Sequence, residues 1–461
     1  MTECTRQLCL SFHPEAPVVV EFDAPEISSD GGALLLRQVD DRLELSVGFS
    51  ECLQEARDSH CVRHGRQEQT RQRIFQIALG YEDCNDADRL RQDPLLKTVC
   101  DRTPQDPQGL SSQPTLSRFE NAQDGATLRR LVCFFEDHYV NNLPAETQQI
   151  VLDIDSTDDE THGAQQLSFF SGFYGHHMYH PLLVFDGESG QLISALLRPG
   201  KVHASRGAAG LLRRVIRKIK HRFPQAQIAV RGDSGFCTPH LLETLEELNT
   251  ELGDVEYLFG LAKNPALLKK AAPAMSQAEE LFRRRAEKSK CFSCFQYAAR
   301  TWPRPRFVVA KAEHSEMGAN PRFVISSLQG FPADLLYRAY CERGQCENLI
   351  KDLKNALQAD RLSCSSFRAN FFRLLLHAAA YRLLHALRQQ IAPQSAVLGR
   401  AQFDTLRLRF LKVAAWVTQS ARRILIRLPK AFPWAEVFAA LRVNCNSLQP
   451  QPDPLRAQDE I

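Results

Sequence analysis

The chain has 461 residues, 44% hydrophobic and 24% charged, enough for two or three globular domains around a large core. Met1 to Phe12 lack a long apolar segment, and the most apolar run, FFRLLLHAAAYRLLHAL, is interrupted by Arg373 and Arg382. Neither a secretion signal nor a membrane span is expected, so the 14 cysteines read as reduced cytosolic thiols.

In chain order, residues 1–145 read as a mostly helical region, with helices predicted over 32–41, 66–79, 86–90 and 127–139. In LSSQPTLSRFENA, Ser112 or Thr115 caps a short helix that buries Leu116 and Phe119 and exposes Arg118. Such a helix can carry Arg118 to a DNA phosphate, or it can connect two domains.

Next, QQIVLDIDST reads as a buried strand ending at Asp155, and QAQIAVRGDSGF as another ending at Asp233, with Gly232 and Gly235 supplying the turn. Strands that end in Asp and small polar residues set a carboxylate at the carboxyl edge of a sheet, where α/β sheets place their ligands. Taken singly, each Asp is an ordinary turn former or helix cap. Between them lie strand-like stretches over 171–185 and 192–198 and a helix over 207–222; a helix over 239–249 and a strand over 257–263 follow.

Residues 264–330 then interrupt the pattern with a basic helix, LFRRRAEKSK, strands over 291–299 and 306–310, and RFVISSL returning to the core. Trp302 lies there among Arg300, Arg304 and Arg306. An aromatic face so placed can stack on an unpaired base, or fill the insertion's own small core. Cys291 and Cys294 have metal-ligand spacing, but no second pair follows.

The segment LYRAYCERGQCENLIKDLKNAL sets Tyr340, Arg343, Glu347 and Lys354 within about 60° of one another on a predicted helix. Leu349, Ile350, Leu353, Ala356 and Leu357 take a different, core-facing side. A carboxylate flanked by two cations and a phenol can hold a metal ion and grip phosphates on either side. Asp155, Asp233 and Glu347 make an all-carboxylate set, which suits a hard cation such as Mg²⁺ or Mn²⁺. Charge is also blocked along the chain. Residues 189–232 carry ten Lys and Arg and no acid, and 361–435 carry thirteen against Asp404 alone. Such blocks read as phosphate-binding faces, whereas solvated helices intersperse Glu with Lys.

The Tyr340 to Lys354 pattern resembles the YREK signature of DDE transposases of bacterial insertion sequences. Together with QRIFQIALGYEDCNDADRLRQDP, SSQPTLSRFEN, VLDIDSTDDETHGAQQ, LRPGKVHAS and VRGDSGF, it resembles the insertion-sequence transposase family numbered 1380 over about residues 34–433. The resemblance implies an α/β fold, with a ribonuclease H-like catalytic core, an inserted β-rich subdomain and a helical N-terminal DNA-binding region. The implied boundaries are 1–145 for that region, 146–263 and 331–395 for the core, 264–330 for the insertion, and 396–461 for a basic C-terminal region.

It further implies that Asp155, Asp233 and Glu347 are catalytic and bind two Mg²⁺ ions, with Mn²⁺ able to substitute. Asp155 is preferred because it ends the strand; Asp153, Asp158 and Asp159 read as solvated neighbours. Tyr340, Arg343, Lys354, Arg118, Trp302, Lys201 and His203 are the implied DNA contacts. The implied partners are transposon-end DNA with inverted repeats, target DNA, and a second copy of the chain in a synaptic complex. The implied setting is the bacterial cytoplasm, at the nucleoid. Cut-and-paste transposition is the implied reaction, freeing a 3′-OH that closes a hairpin or joins target DNA. A stand-alone ribonuclease H-like nuclease or resolvase, and a domesticated DNA-binding protein, are the alternatives.

Overall fold

The computed structural model describes residues 8–444. These divide into two units: one takes the residues up to Glu51, Glu55–Phe119 and those from Ala386 onward, and the other takes Cys52–Gln54 and Glu120–His385.

The second unit is built on one large mixed sheet. In chain order its main elements are α1 (Gly125–Asn141), β1 (Gln149–Ser156), β2 (Phe169–Ser171), β3 (His176–Tyr179), β4 (Leu182–Asp186) and β5 (Leu192–Leu196). There follow α2 (Ala208–Arg222), β6 (Gln227–Gly232), α3 (Pro239–Leu252), β7 (Val255–Leu261) and α4 (Pro265–Arg285). Then come β8 (Ser289–Tyr297), β9 (Arg306–Ser315), β10 (Arg322–Ser326), α5 (Ala333–Cys341), α6 (Gly344–Lys351) and α7 (Phe367–Ile391).

Across the sheet the order is β8-β9-β10-β7-β6-β1-β4-β5. The three central strands β1, β6 and β7 run parallel, because each is followed by a helical crossover or longer excursion; the flanking pairs are antiparallel. The strands of the 264–330 insertion continue this same sheet beyond β7 rather than forming one of their own. The expected strand over 171–185 is instead three pieces. A turn at Gly172 to Gly175 separates β2 from β3, and β4 begins after Pro181, which lacks the donor a ladder needs.

Strand alternation sorts the side chains. Ile150, Leu152, Ile154, Ile228 and Val230 face Leu211, Leu212, Val215 and Ile219 of α2 and Leu241, Leu242 and Leu245 of α3. On the other side, Leu258, Val309 and Val324 pack against Leu336 of α5. The helix α7 carries a long apolar run, yet no helix among the described residues is long and apolar enough to cross a membrane. Its Arg382 is buried and donates to the carbonyls of Phe135, Leu192 and Ile193, tying α7 to α1 and β5.

The first unit joins both ends of the chain. Ile27–Ser28 pairs with Ala415–Ser420, which pairs in turn with Arg423–Arg427. Lys412 reaches Asp30 at 2.6 Å, and the N–H of Gly31 donates to the carbonyl of Val413. Helices Ala33–Leu43 and Arg66–Leu79 share a buried ion pair between Asp40 and Arg71 at 3.2 Å.

Candidate active site

Register places the first two acids. β1 and β6 are parallel with Ile154 opposite Gly232, so Asp155 and Asp233, one residue further on each strand, end neighbouring strands at the same level. β7 continues the row, because Gly232 also lies opposite Phe259 and Gly260 follows. No side chain fits at Gly260: a Cβ there would stand 2.5 Å from the phenol oxygen of Tyr340 and 3.0 Å from the backbone N of Ser234. The phenol of Tyr340 therefore rests on the edge formed by the ends of β6 and β7.

Each acid is also held locally. The N–H of Ser156 donates to Asp155 at 2.8 Å, and that of Gly235 donates to Asp233 at 2.8 Å. Asp155 is 9% exposed, and its carboxyl is pushed up to about 6. Burial is the largest cause; Arg343 and the Ser156 N–H oppose it, and the charges of Asp233 and Glu347 add to it. Glu347 thus lies within electrostatic reach of Asp155 while its own side chain is exposed at the start of α6.

The helix that carries Tyr340, Arg343, Glu347 and Lys354 is not continuous, which corrects the expectation of one straight face. α5 stops at Cys341 and α6 starts at Gly344. Between them the hydrogen bonds tighten to three-residue spacing: Arg343 N–H to Tyr340, Gln345 to Glu342, and Cys346 to Arg343. After α6, residues Asp352–Ala356 widen into a π-helical turn. Ile350, Leu353, Ala356 and Leu357 are nonetheless buried as expected, and Leu349 is partly so.

The cations of the signature meet acids at and just beyond the end of β1. Arg343 lies 3.4 Å from Asp155 and over the Tyr340 ring at 5.9 Å. Lys354 donates to the carbonyl of Asp158 at 2.8 Å and to its carboxylate at 3.0 Å, and His176 stands 3.2 Å from the same carboxylate. Burial also raises the Tyr340 phenol, with Arg343 opposing and Asp233 adding to the rise.

Two of the supposedly solvated neighbours are buried. Asp153 is 1% exposed and grips Arg231 through two bonds of 2.7 and 2.8 Å, while Arg231 also donates to the Ala339 carbonyl and to Glu342. That clamp sets α5 over the sheet one pleat below the Asp155 row. Asp159 is also 1% exposed, and burial together with Asp360 pushes its carboxyl well up.

The basic block on α2 is largely neutralised. Arg213 pairs with Glu247 at 2.9 Å and Arg217 with Glu251 at 2.8 Å, both from α3. Arg214 pairs with Glu136 at 2.6 Å and Lys218 with Asp137 at 2.7 Å, both from α1. The expectation of a bare cationic face there does not hold, because acids distant in sequence fold onto it.

The remaining candidates fall elsewhere. Arg198 is buried and donates to the carbonyls of His180, Ala204 and Arg206, shaping the loop that exposes Lys201 and His203. Lys201 lies over the Phe169 ring at 5.1 Å, and His203 bonds Ser205 at 3.0 Å. Trp302 packs on the apolar core beside α3, edge-on to Tyr297 and under Arg306. Arg304 and Arg306 both pair with Glu246 at 2.7 Å, which occupies the groups expected to meet phosphate. Arg118 is exposed on the helix Gln113–Asn121, in the other unit.

Tyr174 was not foreseen as a neighbour of the acids. Its ring stands 6.1 Å from His176 and 6.0 Å from His180, whose Nε2 lies 3.1 Å from the Ser156 hydroxyl. The GHHMYHP run that follows it was the available signal. Among the described residues, no three His, Cys, Asp or Glu side chains stand close enough to hold one metal ion. The donor chemistry still fits a hard divalent cation: Asp155 and Asp233 end neighbouring strands at one edge, Glu347 acts on Asp155 from α6, and all three offer carboxylate oxygen. Burial of Asp155 and the charges of Asp233 and Glu347 beside it make positive charge welcome there, and Arg343 supplies some of it.

The family model described as transposase DDE domain group 1 matches residues 11–450. Among solved structures, the chain is similar to the cryo-EM structure of the piggyBac transposase synaptic complex with hairpin DNA. The TM-score is 0.44 with 11% identity, covering 93% of this chain and 87% of that one. No curated protein matches the chain.

Proposed function

The chain belongs to the transposase DDE domain group 1 family, whose members are divalent-metal-dependent enzymes of DNA transposition, and on that premise we propose that it cuts and pastes a bacterial insertion sequence of the family numbered 1380. The core is read as ribonuclease H-like, with Asp155, Asp233 and Glu347 as its metal-binding acids. The observation that carries this reading is the register of β1 and β6, which sets Asp155 beside Asp233, with Glu347 and Arg343 reaching the same edge from α6 and its approach.

The three carboxylates would hold two Mg²⁺ ions, with Mn²⁺ able to substitute; when bound, such ions activate the attacking oxygen and relieve charge on the leaving one. The residues of the chain do the positioning. Arg343, now against Asp155, turns to the scissile phosphate, and Lys354 leaves Asp158 for a flanking one. Tyr340, braced on Gly260, fixes where Arg343 lies. A water oxygen attacks phosphorus at the transposon end and the bond to the 3′ oxygen breaks. That oxygen gains a proton, leaving a 3′-OH and a 5′-phosphate. The 3′-OH then attacks either the opposite strand, closing a hairpin, or target DNA; each transfer makes one phosphodiester and breaks one.

The DNA partners are the terminal inverted repeats and a target, handled by two copies of the chain. The helical region 1–145 and the basic region 396–461 are read as parts that grip those repeats, with 264–330 as the insertion. The test is to purify the full chain and offer it the DNA flanking its gene. Binding to inverted repeats there, followed by strand cleavage at their outer ends, is expected. Flanks without inverted repeats, together with equal affinity for unrelated DNA, would overturn the proposal.

A further inference from the structure

We propose that the free edge of β8 is a self-complementary docking surface, on which a second copy of this chain adds its own β8, antiparallel about a two-fold axis at Ser293. Transposition as proposed above calls on two copies, and the pairing, which rests on that reading for its purpose, supplies the place where they join. β8 ends the large sheet. Among the described residues it pairs with β9 alone, from Ser289 opposite His314 to Tyr297 opposite Arg306, without a bulge. Its outer N–H and C=O groups are therefore left out of any ladder. Nothing in the strand blunts that edge: it has no proline, and Lys290 is its one charge.

Strand alternation gives the edge two apolar margins. Towards α4, Cys291, Phe295 and Tyr297 are half-buried against Leu267, Ala271, Ala274 and Ala278. On the other face Phe292 is half-buried beside Tyr337, ring centres 5.8 Å apart, while Lys290, Cys294 and Gln296 are exposed. Ser293 lies at the middle of the strand, and its hydroxyl is buried with no hydrogen-bond partner among the described residues. Buried hydroxyls are ordinarily satisfied, so this one asks for a partner.

Pairing about Ser293 matches both faces. The two Ser293 side chains meet across the axis, where their hydroxyls can bond each other. Phe292 meets Cys294 of the second copy, and Cys291 meets Phe295. Lys290 meets Gln296, so no like charges stand opposite. Just beyond the ladder, exposed Glu287 of one copy approaches exposed Arg300 of the other, once at each end. The helices leave room as well. α4 packs on both β8 and β9, so strands about 4.8 Å apart set the two α4 helices about 10 Å from each other, an ordinary packing distance. A symmetric contact of this kind closes on itself and stops at a dimer.

The test measures self-association of the full-length protein by sedimentation across a concentration series, in reductant and without DNA. Failure here leaves the cleavage reading standing, and flanks without inverted repeats leave the pairing standing. A reversible dimer is expected. Gln296 is exposed and its neighbour on β9 is Phe307, so a charge placed there disturbs no core. Gln296→Lys sets like charges opposite each other twice and should weaken the dimer about tenfold, whereas Gln296→Glu should tighten it by about as much. In a Lys290→Gln background the two variants should associate with nearly equal affinity. A chain that stays monomeric at every concentration overturns the proposal. A dimer that Gln296→Lys and Gln296→Glu leave unchanged, or shift alike, overturns it as well. So does a difference between those two variants that Lys290→Gln fails to reduce.

Discussion

At the scale of single residues, Arg343 and Lys354 are the informative pair. Arg343 is held by Asp155 at the end of β1 at 3.4 Å and Lys354 by Asp158 just beyond it at 3.0 Å, so under the proposed function each would exchange a carboxylate for a phosphate. Replacing either by Ala should weaken binding to transposon ends and lower the slope of affinity against salt by about one unit. A slope unchanged in both variants would mean that this face does not meet DNA. Gly260 offers a separate check on the placement of Tyr340. A methyl group there would stand 2.5 Å from the phenol oxygen, so Gly260→Ala should cost about 1–3 kcal/mol of stability. Removing that oxygen with Tyr340→Phe should return most of the loss, as measured by urea unfolding. A loss that persists in the double variant would show that the backbone of Ser234, 3.0 Å away, is the real obstacle.

Among the elements, β1 and β6 were legible because each is an apolar run that stops at an Asp followed by small residues. The break between α5 and α6 was not. Tightened hydrogen bonds at Arg343 to Cys346 leave the apolar period of Ile350, Leu353 and Leu357 intact, so the sequence pattern carries no mark of it. The burial of Asp153 was hidden for another reason: its partner Arg231 lies 78 residues away and becomes a neighbour only through parallel pairing. Arg231→Ala strands a buried carboxylate and should cost ~3–5 kcal/mol, whereas Arg231→Met with Asp153→Leu should recover most of it. Equal losses in the two, by denaturant titration, would remove the clamp from the account. The cations of α2 misled because their acids lie on α1 and α3, 34 residues away for Glu247 and 78 for Glu136. Arg213→Ala and Arg217→Ala should accordingly leave DNA affinity and its salt slope unchanged; a slope lowered by one unit in either would restore α2 as a DNA-binding face.

For the whole molecule, the division into units follows sheet pairing rather than chain order. Ile27–Ser28 gains its ladder only from Ala415–Ser420, and Asp30 gains its cation only from Lys412. A fragment ending at Phe119 should therefore lack cooperative unfolding until the segment from Ala386 onward is supplied; a sharp transition in the fragment alone would contradict this. In the other unit, the proposed cleavage belongs to Asp155, Asp233 and Glu347, a row of acids drawn from two strands and a helix. Its most direct measurement is strand cleavage at the gene's own flanking repeats, in Mg²⁺, by Asp155→Ala, Asp233→Ala and Glu347→Ala. All three should bind the repeats yet leave them uncut, as should the unaltered protein once a chelator removes the metal. Measurable cleavage by the Asp233→Ala protein would contradict the claim.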